Sequence, residues 1–151
     1  MQFDQVTVEL FKSTIQKDGY IILPSMGNSM YPLIQQGNLC CFVSCQAEEL
    51  KKGDVVLYYS KMGQIIAHRF IEMKPTNNMS YFYLKGDTNL GFDAPIKEHQ
   101  IIGKLVSIQK GDRNVHSDGI ALELWGKLVI AIPAFSGVLR KYLNCKTHYQ
   151  F

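Results

Sequence analysis

The hydrophobic positions in the central part of the chain form short runs of strand length. These runs occupy residues 21–23, 39–43, 55–59, 64–73, 81–84 and 101–108. Clusters of glycine, proline and asparagine separate them, and those at 61–63 and 75–78 are typical of turns. Short strands at this spacing predict a curled antiparallel sheet or barrel, so the expected fold class is mainly β.

The two ends of the chain show helical patterning instead. Six apolar residues near the start can share one side of an amphipathic helix packed on the domain: Phe3, Val6, Val8, Leu10, Phe11 and Ile15. Residues 120–143 are rich in leucine, valine and alanine and predict a helix broken at Pro133. We therefore expect one domain with an N-terminal helix (1–20), a β core (21–113) and a mostly helical extension (114–151).

Composition and charge narrow the class of protein. The chain has 151 residues, of which 46% are hydrophobic and 19% charged, as in an ordinary globular domain. The net charge of +3 is small and its basic residues are dispersed, so no nucleic-acid partner is expected. The apolar stretch 128–139 is shorter than the roughly 20 residues that cross a bilayer. We expect a cytoplasmic protein, with peripheral contact to a membrane or partner protein through the terminal helices left open.

The four cysteines indicate neither a metal site nor a cofactor. They are Cys40, Cys41, Cys45 and Cys145. No Cys-x-x-Cys pair is present, and the spacing matches no metal-binding template. We interpret them as buried free thiols in a reducing compartment.

Three separate segments carry residues suited to acyl transfer. Ser29 follows Gly27 and Asn28 in a turn, His68 lies in a predicted strand, and Asp93 lies in a predicted loop. A serine hydroxyl needs a base within hydrogen-bond distance, and imidazole, whose unperturbed pKa is about 6.5, is suited to that role. A carboxylate on the other ring nitrogen would fix its tautomer. The order Ser, His, Asp is compatible with this chemistry but does not identify it.

Strand alternation predicts the surroundings of the histidine. Over residues 64–72, His68 shares one face with Ile66 and Phe70, while Arg69 lies on the opposite face. The imidazole therefore lies between two apolar side chains, and we expect it to be partly desolvated.

Several short motifs occur in a fixed order over residues 22–108. They are Ser29-Met30-Tyr31-Pro32, Gly53-Asp54-Val55-Val56, His68-Arg69, Lys85-Gly86-Asp87-Thr88-Asn89 with Asp93, and Gly103-Lys104-Leu105. Together they resemble the type I signal peptidase superfamily. A histidine at the base position resembles the endoplasmic-reticulum-like and sporulation-type branch, whereas the bacterial housekeeping branch uses lysine.

The resemblance implies a signal-peptidase type of β fold and a serine endopeptidase that needs no metal. It implies cleavage of a signal or leader peptide after small residues, with the substrate bound as an extended strand. The implied roles are nucleophile for Ser29, general base for His68, orienting acid for Asp93, and oxyanion or structural support for Gly27, Asn28 and Asp87. Either aspartate could orient the ring, and the source of the second oxyanion donor is open.

Most members of that superfamily carry an N-terminal membrane anchor, which residues 1–18 do not resemble. The resemblance implies a peptide or precursor-protein substrate, and without an anchor the enzyme could instead trim the leader of a cytosolic peptide precursor. Two other interpretations remain open. One is a catalytically silent peptide-binding module of the same fold, and the other is a membrane-surface adaptor built on the terminal helices.

Overall fold

The computed structural model describes residues 3–148, and within them one curled, half-barrel antiparallel sheet carries three helices. The helices are α1 (Gln5–Asp18), α2 (Ile120–Ala131) and α3 (Ala134–His148). The strands are β1 (Tyr20–Pro24), β2 (Leu39–Val43), β3 (Val55–Tyr59), β4 (Ile65–Thr76), β5 (Met79–Lys85), β6 (Ile96–Lys97), β7 (Ile101–Lys110) and β8 (Arg113–His116). The predicted mainly β fold class is confirmed, and its signal-peptidase type stays a prediction.

Strand order leaves backbone edges unpaired at β1 and at the start of β4, among other places. Seven strands follow the order β1-β2-β7-β3-β4-β5-β6, and β8 pairs with β7. Strand β4 pairs with β3 over residues 65–69, but its pairing with β5 begins only at Arg69. Residues 65–68 therefore have a sheet neighbour on one side only, and β1 pairs only with β2.

Hydrophobic clusters cover both faces of the sheet. Val55 and Leu57 of β3 belong to a larger cluster, whereas Val56 and Tyr58 belong to a smaller one. Because successive strand residues point to opposite faces, the two clusters lie on opposite sides of the sheet. Both faces of β3 are thus buried, which explains its continuous apolar run.

Helix α1 packs on the larger cluster with only part of the predicted apolar side. Val8 and Ile15 are buried, but Val6 and Leu10 are 75% and 61% exposed. The prediction that all six residues share the packed side is wrong for these two. The reason is geometric, since each helical residue advances about 100°, which turns positions 6 and 10 away from 8 and 15.

The remaining differences between the predicted and the observed elements concern one turn and two short strands. The turn predicted at 75–78 is confined to Asn77 and Asn78, whose φ angles are 31° and 76°. Asparagine tolerates this left-handed backbone, so β4 continues through Thr76. Strands β6 and β8 are not predicted by the sequence pattern, because they are short and partly polar. Strand β8 also extends past residue 113, where the predicted β core ends.

The break at Pro133 is confirmed, and α2 and α3 are bent by 103° relative to each other. Leu122 and Trp125 of α2 pack against the larger cluster, and Val129 is buried. Within residues 3–148 no single helix has the length and hydropathy to cross a membrane, although α2 and α3 taken together meet both criteria.

Candidate active site

The loop between β1 and β2 holds Ser29 in a fixed position. Met30 and Ile34 are both 3% exposed and anchor the loop in the larger cluster. The side-chain oxygen of Asn28 accepts a hydrogen bond from the Gln36 N–H at 3.1 Å. The loop is thus held both by the Asn28 hydrogen bond and by the packing of Met30 and Ile34 in the larger cluster.

Ser29, His68 and Asp93 form a continuous hydrogen-bonded row. The Ser29 Oγ to His68 Nε2 distance is 2.9 Å, and the His68 Nδ1 to Asp93 Oδ2 distance is 2.6 Å. The imidazole is 6% exposed and the Asp93 side chain 18%. Because an ionised carboxylate only accepts hydrogen bonds, we assign the proton to Nδ1, which leaves Nε2 to accept from the serine hydroxyl.

Neighbouring strands fix the histidine and its acid. His68 lies opposite Val56 in the pairing of β4 with β3, and the Asp93 N–H donates to the Leu84 carbonyl at 2.9 Å. The Tyr58 ring lies 6.4 Å from the imidazole. Burial and the Asp93 carboxylate both raise the pKa of the Tyr58 phenol. Sequence reasoning missed Tyr58, whose only signal was its place in an apolar strand.

Gly86 permits the close approach of the histidine. A Cβ atom built at this position would lie 3.0 Å from His68 Nε2 and 2.8 Å from Asn89 Nδ2. Contacts this short leave no room for a side chain. Glycine in the Lys-Gly-Asp motif was the available signal, but the sequence did not reveal this steric role.

Asp87 pairs with arginine rather than with the imidazole. Arg69 Nε and Nη2 donate to the two Asp87 carboxylate oxygens, each at 2.7 Å. The guanidinium also donates to the Gly53 carbonyl at 2.8 Å, and Trp125 Nε1 donates to Asp87 at 3.1 Å. The structure therefore places Asp93 on the imidazole and Asp87 in a buried bracing pair. Trp125 lies beyond the motif region, and no sequence pattern indicates its contact with Asp87.

The residue after Asp87 connects this ion pair to the serine. Thr88 donates to the Ser29 carbonyl from its N–H at 2.9 Å and from its hydroxyl at 3.2 Å. The Asn89 N–H closes a tight turn onto the Gly86 carbonyl at 3.0 Å. Residues 86–89 consequently position both Ser29 and His68.

The surroundings of Gly27 are open. Its carbonyl accepts a hydrogen bond from the Ser25 hydroxyl at 3.1 Å, and a Cβ atom at Gly27 would meet no atom within 4 Å. Among the described residues, the Ser29 N–H donates to no main-chain carbonyl. That N–H is available for an oxyanion, and the second donor near Gly27 stays a prediction.

A largely apolar cleft of about 630 Å³ opens beside Ser29. Ser29 and His68 lie in its wall, together with the side chains of Leu23, Met30, Phe42, Ile65 and Ala67. The partly unpaired edges of β1 and of residues 65–68 run along it. Clefts of this size and character commonly bind ligands. An extended peptide could pair with these edges while its side chains enter the cleft.

The cysteines differ from one another in burial. All four are free of disulfides. Cys40 is buried, Cys41 and Cys45 are partly buried, and Cys145 is exposed, so the prediction of buried thiols is confirmed for Cys40 and wrong for Cys145. Burial raises the pKa of Cys40 and of Cys45 to about 11. Within residues 3–148, no group of three or more histidine, cysteine or acidic side chains is arranged to hold a metal ion.

No protein-family model matches the chain, and no curated protein matches it significantly. The resemblance to signal peptidases therefore stays a prediction, based on the motifs within residues 22–108.

Proposed function

We propose that the chain is a serine endopeptidase of the signal-peptidase type that cleaves a signal or leader peptide after small residues. One observation carries the proposal, namely the hydrogen-bonded row from Ser29 through His68 to Asp93, with distances of 2.9 and 2.6 Å. Both distances fall in the range of about 2.6–3.2 Å expected for a base ready to accept a proton.

The row supports a two-stage acyl transfer. His68 Nε2 removes the Ser29 proton as Oγ attacks the scissile carbonyl carbon, and Asp93 stabilises the resulting imidazolium. The oxyanion accepts a hydrogen bond from the Ser29 N–H. As the tetrahedral intermediate collapses, the imidazolium donates its proton to the leaving amine, and the same base then activates water to hydrolyse the acyl-enzyme.

The surroundings favour a peptide substrate over a small molecule. The cleft beside Ser29 is lined mainly by apolar side chains, and two unpaired backbone edges flank it. A strand-like peptide satisfies such edges through main-chain hydrogen bonds, so its affinity depends little on sequence outside the pockets. The preference for small residues at the cut and for a leader peptide comes from the resemblance alone.

A peptide library read by mass spectrometry tests the proposal. We expect cleavage after small residues by the unaltered protein, and a loss of at least about a thousandfold in Ser29→Ala and in His68→Ala. Ser44→Ala is the matched control, because Ser44 is exposed and lies outside the cleft.

Two results would contradict proteolysis. Equal cleavage by the unaltered protein and Ser29→Ala would assign the activity to a contaminant. Peptide binding without any cleavage, retained in Ser29→Ala, would instead identify the silent peptide-binding module.

A further inference from the structure

The C-terminal helices present an apolar surface that no described part of the chain covers. On α2, Ile120, Leu124 and Leu128 are 78%, 60% and 37% exposed, and Ile132 at the following bend is 42% exposed. Residues spaced by four lie along one side of a helix. The exposed apolar side chains therefore form a stripe that runs the length of α2 and reaches the bend.

The opposite side of α2 is also apolar, because it packs on the protein. Trp125 contacts the larger cluster, Val129 is buried, and Gly126 lies against the Arg69 guanidinium. The charged residues of the helix, Glu123 and Lys127, pair with each other at 2.7 Å. A helix that is apolar on nearly all sides is normally enclosed on all sides, by protein or by lipid.

Helix α3, which follows the bend, adds positive charge. Its sequence contains no acidic residue, and its exposed side chains include both apolar and basic ones: Val138, Arg140, Lys141, Tyr142 and Lys146. Residues 120–148 contain four basic residues and one acidic residue. Their formal charge of +3 equals that of the whole chain, so the rest of the sequence is neutral overall.

We infer that these helices dock on an anionic phospholipid membrane and lie in its interface. We call this region the docking surface and define it by Ile120, Leu124, Leu128, Ile132, Val138, Arg140 and Lys141. Neither helix alone meets the criteria for crossing a bilayer, and the 103° bend separates them. Apolar side chains can enter the acyl boundary while the basic ones meet the headgroups, as in other interfacial helices.

The positive charge of the docking surface favours an anionic lipid layer over a second copy of the chain as its binding partner. Two such surfaces facing each other would bring like charges together, which disfavours association. An anionic headgroup layer attracts the same charges. The inference is independent of the proposed proteolysis, since it uses neither Ser29 nor His68.

Vesicle flotation at low and high salt tests the inference. We expect the full chain to float with vesicles of equal parts phosphatidylcholine and phosphatidylglycerol, and to float less at high salt and with phosphatidylcholine alone. Ile120→Ser combined with Leu124→Ser should weaken binding at least about tenfold. Val6→Ser combined with Leu10→Ser is the matched control, because these exposed apolar residues lie on α1.

A charge variant keeps the test decisive if the serine variant folds poorly. Arg140→Glu combined with Lys141→Glu should reduce flotation with anionic vesicles while circular dichroism stays unchanged. Recovery of the unaltered protein in the unbound fraction would overturn the inference, as would an equal loss in the α1 control. A concentration-dependent dimer in light scattering, abolished by the Ile120 and Leu124 substitutions, would overturn it in favour of a second copy.

Discussion

Replacing Gly86 by alanine tests whether this glycine is needed to make room for the His68 imidazole, the proposed base. The new Cβ atom would lie 3.0 Å from His68 Nε2, 2.8 Å from Asn89 Nδ2 and 2.9 Å from Asn89 Cγ. Asn89 is partly exposed and can rotate toward solvent. The imidazole, 6% exposed and bonded to Asp93, has no such freedom and must shift as a unit.

The size of the shift follows from these distances. An ordinary Cβ contact begins at 3.4 Å, so a ring nitrogen at 3.0 Å must retreat by about 0.4 Å. A shift of this size can lengthen the 2.9 Å hydrogen bond between Ser29 and His68 to about 3.3 Å, beyond the efficient range. A misplacement of about 1 Å can cost roughly a hundredfold. We therefore expect about a tenfold lower kcat/KM, equivalent to about 1.4 kcal/mol.

The measurement is kcat/KM on a peptide selected from the library, with Gly91→Ala as the matched control. A Cβ atom at Gly91 would meet nothing within 4 Å, and neither glycine has a positive φ angle. We expect Gly91→Ala to retain full activity. Nitrogen NMR of the imidazole would report the displacement without relying on cleavage. Unchanged kcat/KM and unchanged imidazole shifts in Gly86→Ala would refute the steric argument.

Further predictions concern the buried Arg69–Asp87 ion pair and the cysteine thiols. Asp87→Asn leaves the Arg69 guanidinium buried without its counter-charge, so urea unfolding should show a loss of about 3 kcal/mol; a loss below about 1 kcal/mol would contradict the bracing role. Trp125→Phe keeps the ring but removes the donor to Asp87, so the same assay should show a loss of about 1 kcal/mol, and an unchanged midpoint would contradict it. The pKa of the buried Cys40 thiol is raised to about 11, so alkylation followed by mass spectrometry should modify exposed Cys145 before Cys40. The rate of Cys40 labelling should rise about tenfold per pH unit below pH 11, because the thiolate is the reactive form. Equal labelling rates at pH 8 would contradict this order.

Local sequence information was sufficient for most of the sheet. The runs 39–43 and 55–59 became strands with the predicted bounds, because β-branched and aromatic residues between turn formers favour extended backbone. Strand β6 has two residues and β8 has four, of which Val115 is the apolar member in β8. Such segments become strands through pairing with β5 and β7, and no local pattern indicates that pairing.

Ser29, His68 and Asp93, named from the sequence, lie together in the structure, but the sequence could not distinguish the two aspartates. Their separation in the folded protein follows from strand geometry. His68 and Arg69 are adjacent on β4, so their side chains point to opposite faces of the sheet. Asp87 meets the guanidinium on one face, and Asp93 meets the imidazole on the other. Both aspartates lie in the one loop between β5 and β6. The distinction required knowing how this loop passes from one face of the sheet to the other, which is a property of the tertiary fold.

Helix α2 is apolar on two sides, one packed on the domain and one exposed along the stripe. Its inner side carries Trp125, which donates to Asp87, and Asp87 precedes the Thr88 that holds the Ser29 carbonyl. The outer stripe takes no part in these contacts. Docking through the outer stripe would therefore leave the inner contacts intact, so the membrane-bound protein would keep the hydrogen bonds that hold its serine loop. Sequence periodicity cannot separate the two sides, because it registers hydrophobicity without showing what covers it.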